Sequence, residues 1–113
     1  MNIEELREYC IKKENVEEAF PFDQDTLVFK VNGKMFLLSG ISEYPVQFNV
    51  KCDPDQALEL RANHPNVLPG YHMNKKHWNT VVCDGSVSKK LLFQWIDDSY
   101  NLVAKKKAIR TKK

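Results

Sequence analysis

Apolar positions recur along this chain with two periods, and the change of period separates helices from strands. Within residues 2–13, Leu6 and Cys10 recur at helical spacing among charged neighbours, which predicts a first helix. Asn2 is suited to cap this helix, and Glu5 three residues later completes a capping-box pattern.

Alternating apolar and polar positions predict a hairpin and a third strand in the next part of the chain. Segments Thr26–Val31 and Lys34–Ser39 flank Asn32 and Gly33, two residue types that tolerate the positive φ angles of a type I′ turn. Segment Val46–Lys51 alternates as well, so that its apolar side chains share one face. The three strands are expected to pair antiparallel, because no crossover segment separates them.

A second helix is predicted from Asp53-Pro54, since Asp is a good N-cap and Pro suits the first helical position. It should end near Ala62 or Asn63. The segment His64–Gly70 contains two prolines and a glycine, which is typical of a loop.

The last third of the chain predicts a strand pair and a long helix. Trp78–Cys83 has the composition of a strand, and residues 71–73 are expected to form a short strand before it. A broad apolar stripe then recurs at three- and four-residue spacing up to about Ala104, and Ser86 or Ser88 is placed to cap this helix.

The predicted order is α-β-β-β-α-β-β-α, which indicates an α+β fold of two layers. An antiparallel sheet of about five strands should carry the helices on one face. Residues 1–104 are expected to form a single domain, followed by a basic, flexible tail at 105–113.

Composition and charge narrow the classes of function. The chain has 113 residues and a net charge of +2, but its last nine residues hold six basic groups and no acid, so residues 1–104 carry a net −4. A domain with a uniformly basic DNA-binding face would be expected to show a clear excess of lysine and arginine instead. The charged N-terminus lacks the apolar core of a secretory signal, and no apolar run is long enough for a membrane helix, so we expect a cytoplasmic protein without a membrane partner.

The polar-aromatic stretch GYHMNKKHW, at residues 70–78, is the most informative segment for function. Lysines can meet phosphates and aromatic rings can stack on bases, so the stretch suits an anion or a nucleic acid. The alternative is that its aromatic residues belong to the core and its lysines only face water. Strand lysines could add to the same surface, which gives these candidate binding residues: Lys30, Lys34, Lys51, Tyr71, His72, Lys75, Lys76 and Trp78.

The sequence offers little for metal or covalent chemistry. His72 and His77 lie five residues apart and no C-x-x-C pair exists, so we expect no metal and no cofactor. Three cysteines without close pairing argue against a disulfide framework. A nucleophile such as Cys52 or Ser99 beside His72 stays open, but no catalytic motif supports it, and we do not expect an enzyme.

Several segments together resemble the MmcQ/YjbR family of small bacterial proteins: EEAFPFD (17–23), VFKVNGKMF (28–36), VKCDPDQALELR (50–61), LPGYHMNKKHWNTV (68–81) and DSYNLV (98–103). The resemblance implies a compact α+β fold with an antiparallel sheet, similar in outline to frataxin-like or secretion-chaperone-like sandwiches. The family is commonly labelled DNA-binding, on a double-wing structural similarity, and it implies no catalytic activity.

The family pattern also implies which residues matter. It covers Pro21, Phe22, Phe29, Lys30, Lys34, Met35, Phe36, Lys51, Pro54, Pro69, Gly70, His72, Lys76, Trp78, Ser99 and Tyr100. Its apolar members suit the core, and its polar members are the candidates for function. The leading hypothesis is a monomeric, non-enzymatic module that binds DNA or another polyanion. The alternative is a domain that binds a small anionic ligand in a cationic pocket, or a protein partner.

Overall fold

The computed structural model of the chain describes residues 1–70 and 73–111, the last seven of these as backbone only. It is an α+β fold with one six-stranded antiparallel sheet and three helices. The elements are α1 (Ile3–Ile11), β1 (Val16–Ala19), β2 (Thr26–Val31), β3 (Lys34–Gly40), β4 (Gln47–Lys51), α2 (Pro54–Asn63), β5 (Val67–Pro69), β6 (Trp78–Val82) and α3 (Lys89–Thr111). The fold class and the antiparallel sheet are confirmed.

The turn and cap chemistry lies where the sequence predicts it. Asn32 and Gly33 have φ angles of 54° and 82° and join β2 to β3. The Asn2 side chain accepts from the Glu5 amide, and the Glu5 side chain accepts from the Asn2 amide, which completes the capping box. Asp53 caps α2, with its carboxylate accepting from the Gln56 amide.

Two strands differ from the prediction. The sheet order is β1-β2-β3-β4-β6-β5, so the unpredicted β1 and the short β5 both lie at edges. β5 occupies Val67–Pro69, within the segment predicted as loop. An edge strand tolerates Pro69, because on its outer side no backbone N–H donor is needed. The predicted strand at 71–73 is not observed at Met73, which lies in a bend, and its other two residues lie outside the described chain.

The helices cover one face of the sheet. The core on that face joins α1 and α3 to the strands through large buried side chains, among them Leu6, Phe29, Phe48, Trp95 and Ile96. Helix α3 begins after Ser88, whose hydroxyl accepts from the Leu91 amide, and continues seven residues beyond the predicted end at Ala104. The flexible tail predicted from residue 105 stays a prediction.

The opposite sheet face, here called the open face, has no helix from the described residues packed on it. A smaller cluster of Val28, Leu38 and Trp78 is buried there, with Met35 and Met73 packed against it. The open face therefore combines an apolar centre with the polar side chains that alternate outward along the strands. None of the helices in the described chain is long and apolar enough to cross a membrane.

Candidate functional site

A bulge in the β2–β3 hairpin sets the positions of the strand lysines. Phe29 pairs with Leu37 and Lys30 pairs with Met35, so Phe36 is the extra residue that has no partner across the hairpin. Phe36 is fully buried on the helix side, whereas Lys30 and Met35 belong to the open face. Because of the bulge, the consecutive residues Phe36 and Leu37 of β3 both point into the core. Lys34 begins the strand at the exposed turn.

Ser99 of α3 holds this bulge to the end of β4. Its hydroxyl donates to the Phe36 carbonyl at 2.6 Å and accepts from the Lys51 amide at 2.9 Å. Ser99 is fully buried, so both bonds are shielded from water. The backbone that carries Lys51 is therefore tied to the backbone that follows Lys34 and Met35.

A cleft of about 350 Å³ lies at this end of the strands, and Lys34, Lys51, Asp53 and His77 are among its lining residues. Its apolar side is formed by Met35, Leu102 and Val103. We call it the cationic cleft. None of its three basic side chains has an ion pair within the described part of the chain, whereas Arg7, Lys13 and Lys89 are each paired with a carboxylate.

Of the remaining predicted site residues, Lys30, Lys75 and Lys76 do not line this cleft. Lys30 lies on the open face, opposite Glu17 on β1 and Met35 on β3. Lys75 and Lys76 are exposed and immediately precede His77. Tyr71 and His72 lie outside the residues that the structure describes.

Trp78 has a different environment from the lysines. It lies opposite Lys51 in the β4–β6 register, but only 7% of it is exposed. Gly70 approaches it so closely that a Cβ at that position would lie 2.8 Å from the Trp78 Cβ, and the Gly70 amide donates to the Trp78 carbonyl at 2.9 Å. The indole therefore has little free surface for stacking on a base, and its contacts are those of a core residue.

A buried polar network, which the site prediction did not include, supports the segment that leads to Trp78. Asn79 is fully buried, accepts from the Arg61 Nε at 2.7 Å and donates to the Ala57 carbonyl at 3.3 Å. Arg61 also donates from Nη2 to the Lys75 carbonyl. Helical spacing contained a signal for this contact, because Arg61 lies four residues after the buried Ala57 and so shares its face of α2.

The polar residues of α3 that the family pattern includes make internal contacts. Tyr100 donates from its hydroxyl to the Glu14 carbonyl at 2.6 Å and packs edge-on against Phe36. Ser99 is occupied by the two bonds described above. Neither hydroxyl is presented to the cationic cleft as a free group.

The cysteines lack the environment of a nucleophile. Burial, the largest cause, and the nearby Asp98 carboxylate raise the pKa of Cys52 to about 11. Burial also raises the pKa of Cys10 to about 12 and that of Cys83 to about 11. A thiol that stays protonated at neutral pH is a weak nucleophile and a weak metal ligand.

We therefore expect all three thiols of the folded protein to react slowly with the thiol reagent DTNB at pH 8. The thiolate fraction of Cys52 at this pH should be lower than that of an ordinary exposed cysteine by roughly two hundredfold, given a reference pKa near 8.5. The measurement compares absorbance kinetics in buffer and in denaturant. A cysteine that reacts in buffer as fast as in denaturant would contradict the burial that the structure assigns to it.

No group of three or more His, Cys, Asp or Glu side chains is arranged to hold a metal ion within residues 1–70 and 73–104. A second concavity, of about 460 Å³, opens on the open face at the other end of the strands. Its charged lining residues are Asp23 and Glu43, so its character is acidic. The two ends of the sheet thus differ in charge, and the cationic cleft is the end suited to an anion.

Comparison with known proteins gives consistent matches. The YjbR family model matches residues 11–102. A relative named YbdF from Escherichia coli O157:H7 is 42% identical over 98 residues, which is 87% of this chain and 80% of YbdF. YjbR from Escherichia coli K12 is 34% identical over 100 residues, which is 88% of this chain and 85% of YjbR.

Solved structures agree with this match. A crystal structure of a Deinococcus radiodurans protein, described as a DUF419 domain, superposes with a TM-score of 0.88 at 44% identity and covers 93% of this chain and 80% of the other. A Pseudomonas syringae protein superposes with a TM-score of 0.77 at 30% identity, covering 91% of this chain and 99% of the other.

Proposed function

The chain belongs to the YjbR family, and we propose that it is a non-enzymatic module that binds nucleic acid through the cationic cleft and the exposed lysines beside it. The observation that carries the proposal is the meeting of Lys34 and Lys51 in one cleft with His77. These side chains come from three separate segments of the chain, and the two lysines have no ion pair among the described residues. Unpaired ammonium groups are the side chains that neutralise phosphates.

Basic residues adjacent in sequence to the lining of the cleft support the same function. Lys75 and Lys76 are exposed next to His77. In the sequence, Leu102 and Val103, which line the cleft, are followed after Ala104 by the basic stretch KKKAIRTKK at 105–113. The net charge of −4 on residues 1–104 means that attraction to phosphates must be local, so we expect modest affinity that falls steeply with salt.

A small anionic ligand is the second candidate, and the shape of the cleft favours it. A concave site of about 350 Å³ with two lysines and an apolar side lies within the size range of small-molecule pockets. Inorganic phosphate or pyrophosphate would then compete at low millimolar concentration with any oligonucleotide. A nucleic-acid interface that includes the surrounding lysines would be displaced only by general screening.

The test is fluorescence polarisation of a labelled 12-nucleotide single strand at several salt concentrations. For the Lys34→Ala/Lys51→Ala double variant we expect at least tenfold weaker binding at about 50 mM salt. We also expect the slope of log K against log salt to fall by about 1.4, since each lost contact to a single strand removes roughly 0.7. Both lysines lie at the surface, so the fold should persist.

Lys90→Ala is the matched control. Lys90 is exposed in the first turn of α3 and lies about 18 Å along the helix axis from Leu102, at 1.5 Å per residue. Its removal should leave the slope unchanged. Absence of binding by the wild-type protein at low salt, or a double variant with the wild-type slope, would overturn the proposed function.

A further inference from the structure

A second cleft, of about 320 Å³, adjoins the cationic cleft and has the chemistry of a base-recognition site. The two clefts share Lys51, Cys52, Asp53 and Leu102 in their linings, so they are neighbours, and we call the two together the trough. The trough runs from Lys34 and His77 at one end to side chains of α2 and α3 at the other. We call the second part the amide cleft, after Gln56 and Asn101.

Charge changes along the trough. The cationic cleft holds Lys34, Lys51 and His77, whereas the amide cleft adds Asp98 to the shared Asp53. Formal charges of the two lysines and the two aspartates cancel over the whole trough, which makes it unsuitable for a run of phosphates. The trough is suited to a ligand with one anionic end and one neutral end that can hydrogen-bond.

The neutral end of such a ligand would meet a fixed set of hydrogen-bond donors and acceptors in the amide cleft. Asp98 lines the amide cleft, and its Oδ1 accepts from Gln94 Nε2 at 2.9 Å, which leaves Oδ2 without a hydrogen bond in the described part of the chain. In the described part of the chain the amide groups of Gln56 and Asn101, which line this cleft, make no side-chain hydrogen bond, so each offers its two N–H donors and its carbonyl acceptor. Carboxylates accept from the exocyclic amine of cytosine, and amides pair in two points with adenine.

We propose, on the premise of the proposed function, that the amide cleft receives a base whose phosphate lies at Lys34 and Lys51, and that it selects bases carrying an exocyclic amine. The carboxylate of Asp98 accepts from that amine, and Gln56 and Asn101 contact the neighbouring ring positions. Thymine and uracil present a carbonyl at the same place, which Asp98 repels. The amide cleft thus discriminates between bases, and the two lysines supply affinity for the phosphate.

The experiment measures affinity ratios for fluorescein-labelled dC12, dA12 and dT12 by polarisation at one salt concentration. The wild-type protein should bind dC12 and dA12 at least fivefold more tightly than dT12, the lower bound for one good base contact. In the Gln56→Ala/Asn101→Ala variant these ratios should fall to within about twofold of one, with dT12 affinity unchanged. Asp98→Asn should also lower the ratios, since an amide can donate to the thymine carbonyl.

Gln24→Ala serves as the matched control, because Gln24 is an exposed amide remote from the trough in sequence and should leave every ratio unchanged. If all three strands bind and the variants keep the wild-type ratios, the base site is wrong while the proposed function stands. If the wild-type protein binds none of the strands, the proposed function itself fails. Circular dichroism of each variant confirms that the fold is intact.

Discussion

Truncation of Trp78 to alanine is expected to lower the free energy of unfolding by about 3–5 kcal/mol, the range for large aromatic side chains in cores. Trp78 is only 7% exposed and is buried with Val28 and Leu38 on the open face. Met35 and Met73 pack against this cluster, so removal of the indole leaves a cavity among these side chains. Urea denaturation followed by circular dichroism measures the change.

Tyr44→Ala is the matched control for this experiment. Tyr44 is 97% exposed, so its truncation should change stability by no more than about 0.5 kcal/mol. Trp78→Phe should cost less than Trp78→Ala and remains measurable if the alanine variant does not fold. A loss below about 1 kcal/mol for Trp78→Ala would show that the indole is not a core residue, and would return it to the candidates for stacking on a base.

Replacement of Ser99 by alanine is expected to cost about 2–4 kcal/mol. The change removes one hydroxyl but leaves two buried groups without a partner, the Phe36 carbonyl and the Lys51 amide. An unsatisfied buried donor or acceptor costs about 1–3 kcal/mol, and the methyl group of alanine offsets little of it. Urea denaturation again measures the loss, with the exposed Ser42→Ala as a control of near-zero effect.

Ser99 is a positioning residue, so its loss should also affect binding. Because Ser99 ties the Lys51 backbone to the Phe36 bulge, Ser99→Ala should weaken oligonucleotide binding. Both lysines are still present in this variant, so the slope of log K against log salt should stay closer to the wild-type value than in Lys34→Ala/Lys51→Ala. Ser99→Cys, which retains a weak donor and acceptor, should recover part of the stability and part of the oligonucleotide affinity. Wild-type stability in Ser99→Ala would contradict the two shielded hydrogen bonds.

Local chemistry made much of the fold predictable. The Asn32-Gly33 turn and the caps at Asn2 and Asp53 act within three or four residues, so the sequence contains the whole signal. The edge strands had no such signal. β1, with the sequence VEEA, is short and carries two glutamates, and β5 contains Pro69; each is a strand because a longer neighbour pairs with it.

The same distinction applies to the site. The sequence named Lys34 and Lys51 as candidates, but their meeting in one cleft depends on the Phe36 bulge and the Ser99 bridge between distant segments. Helix α2 shows that an apolar residue in a helix need not face the core. Leu58 is apolar but 61% exposed, because the inner face of this helix is occupied by Ala57 and Arg61 over the buried Asn79.

The most direct test of the nucleic-acid interface is a titration of the isotopically labelled protein with dC12, followed by backbone amide chemical shifts. The largest changes should occur at Lys34, at 51–53 and at 102–103, which line the cationic cleft. Amides near Asp23 and Glu43, in the acidic concavity at the other end of the strands, should stay unchanged and act as the internal control. Changes centred on that acidic end, or no changes at low salt, would contradict the account.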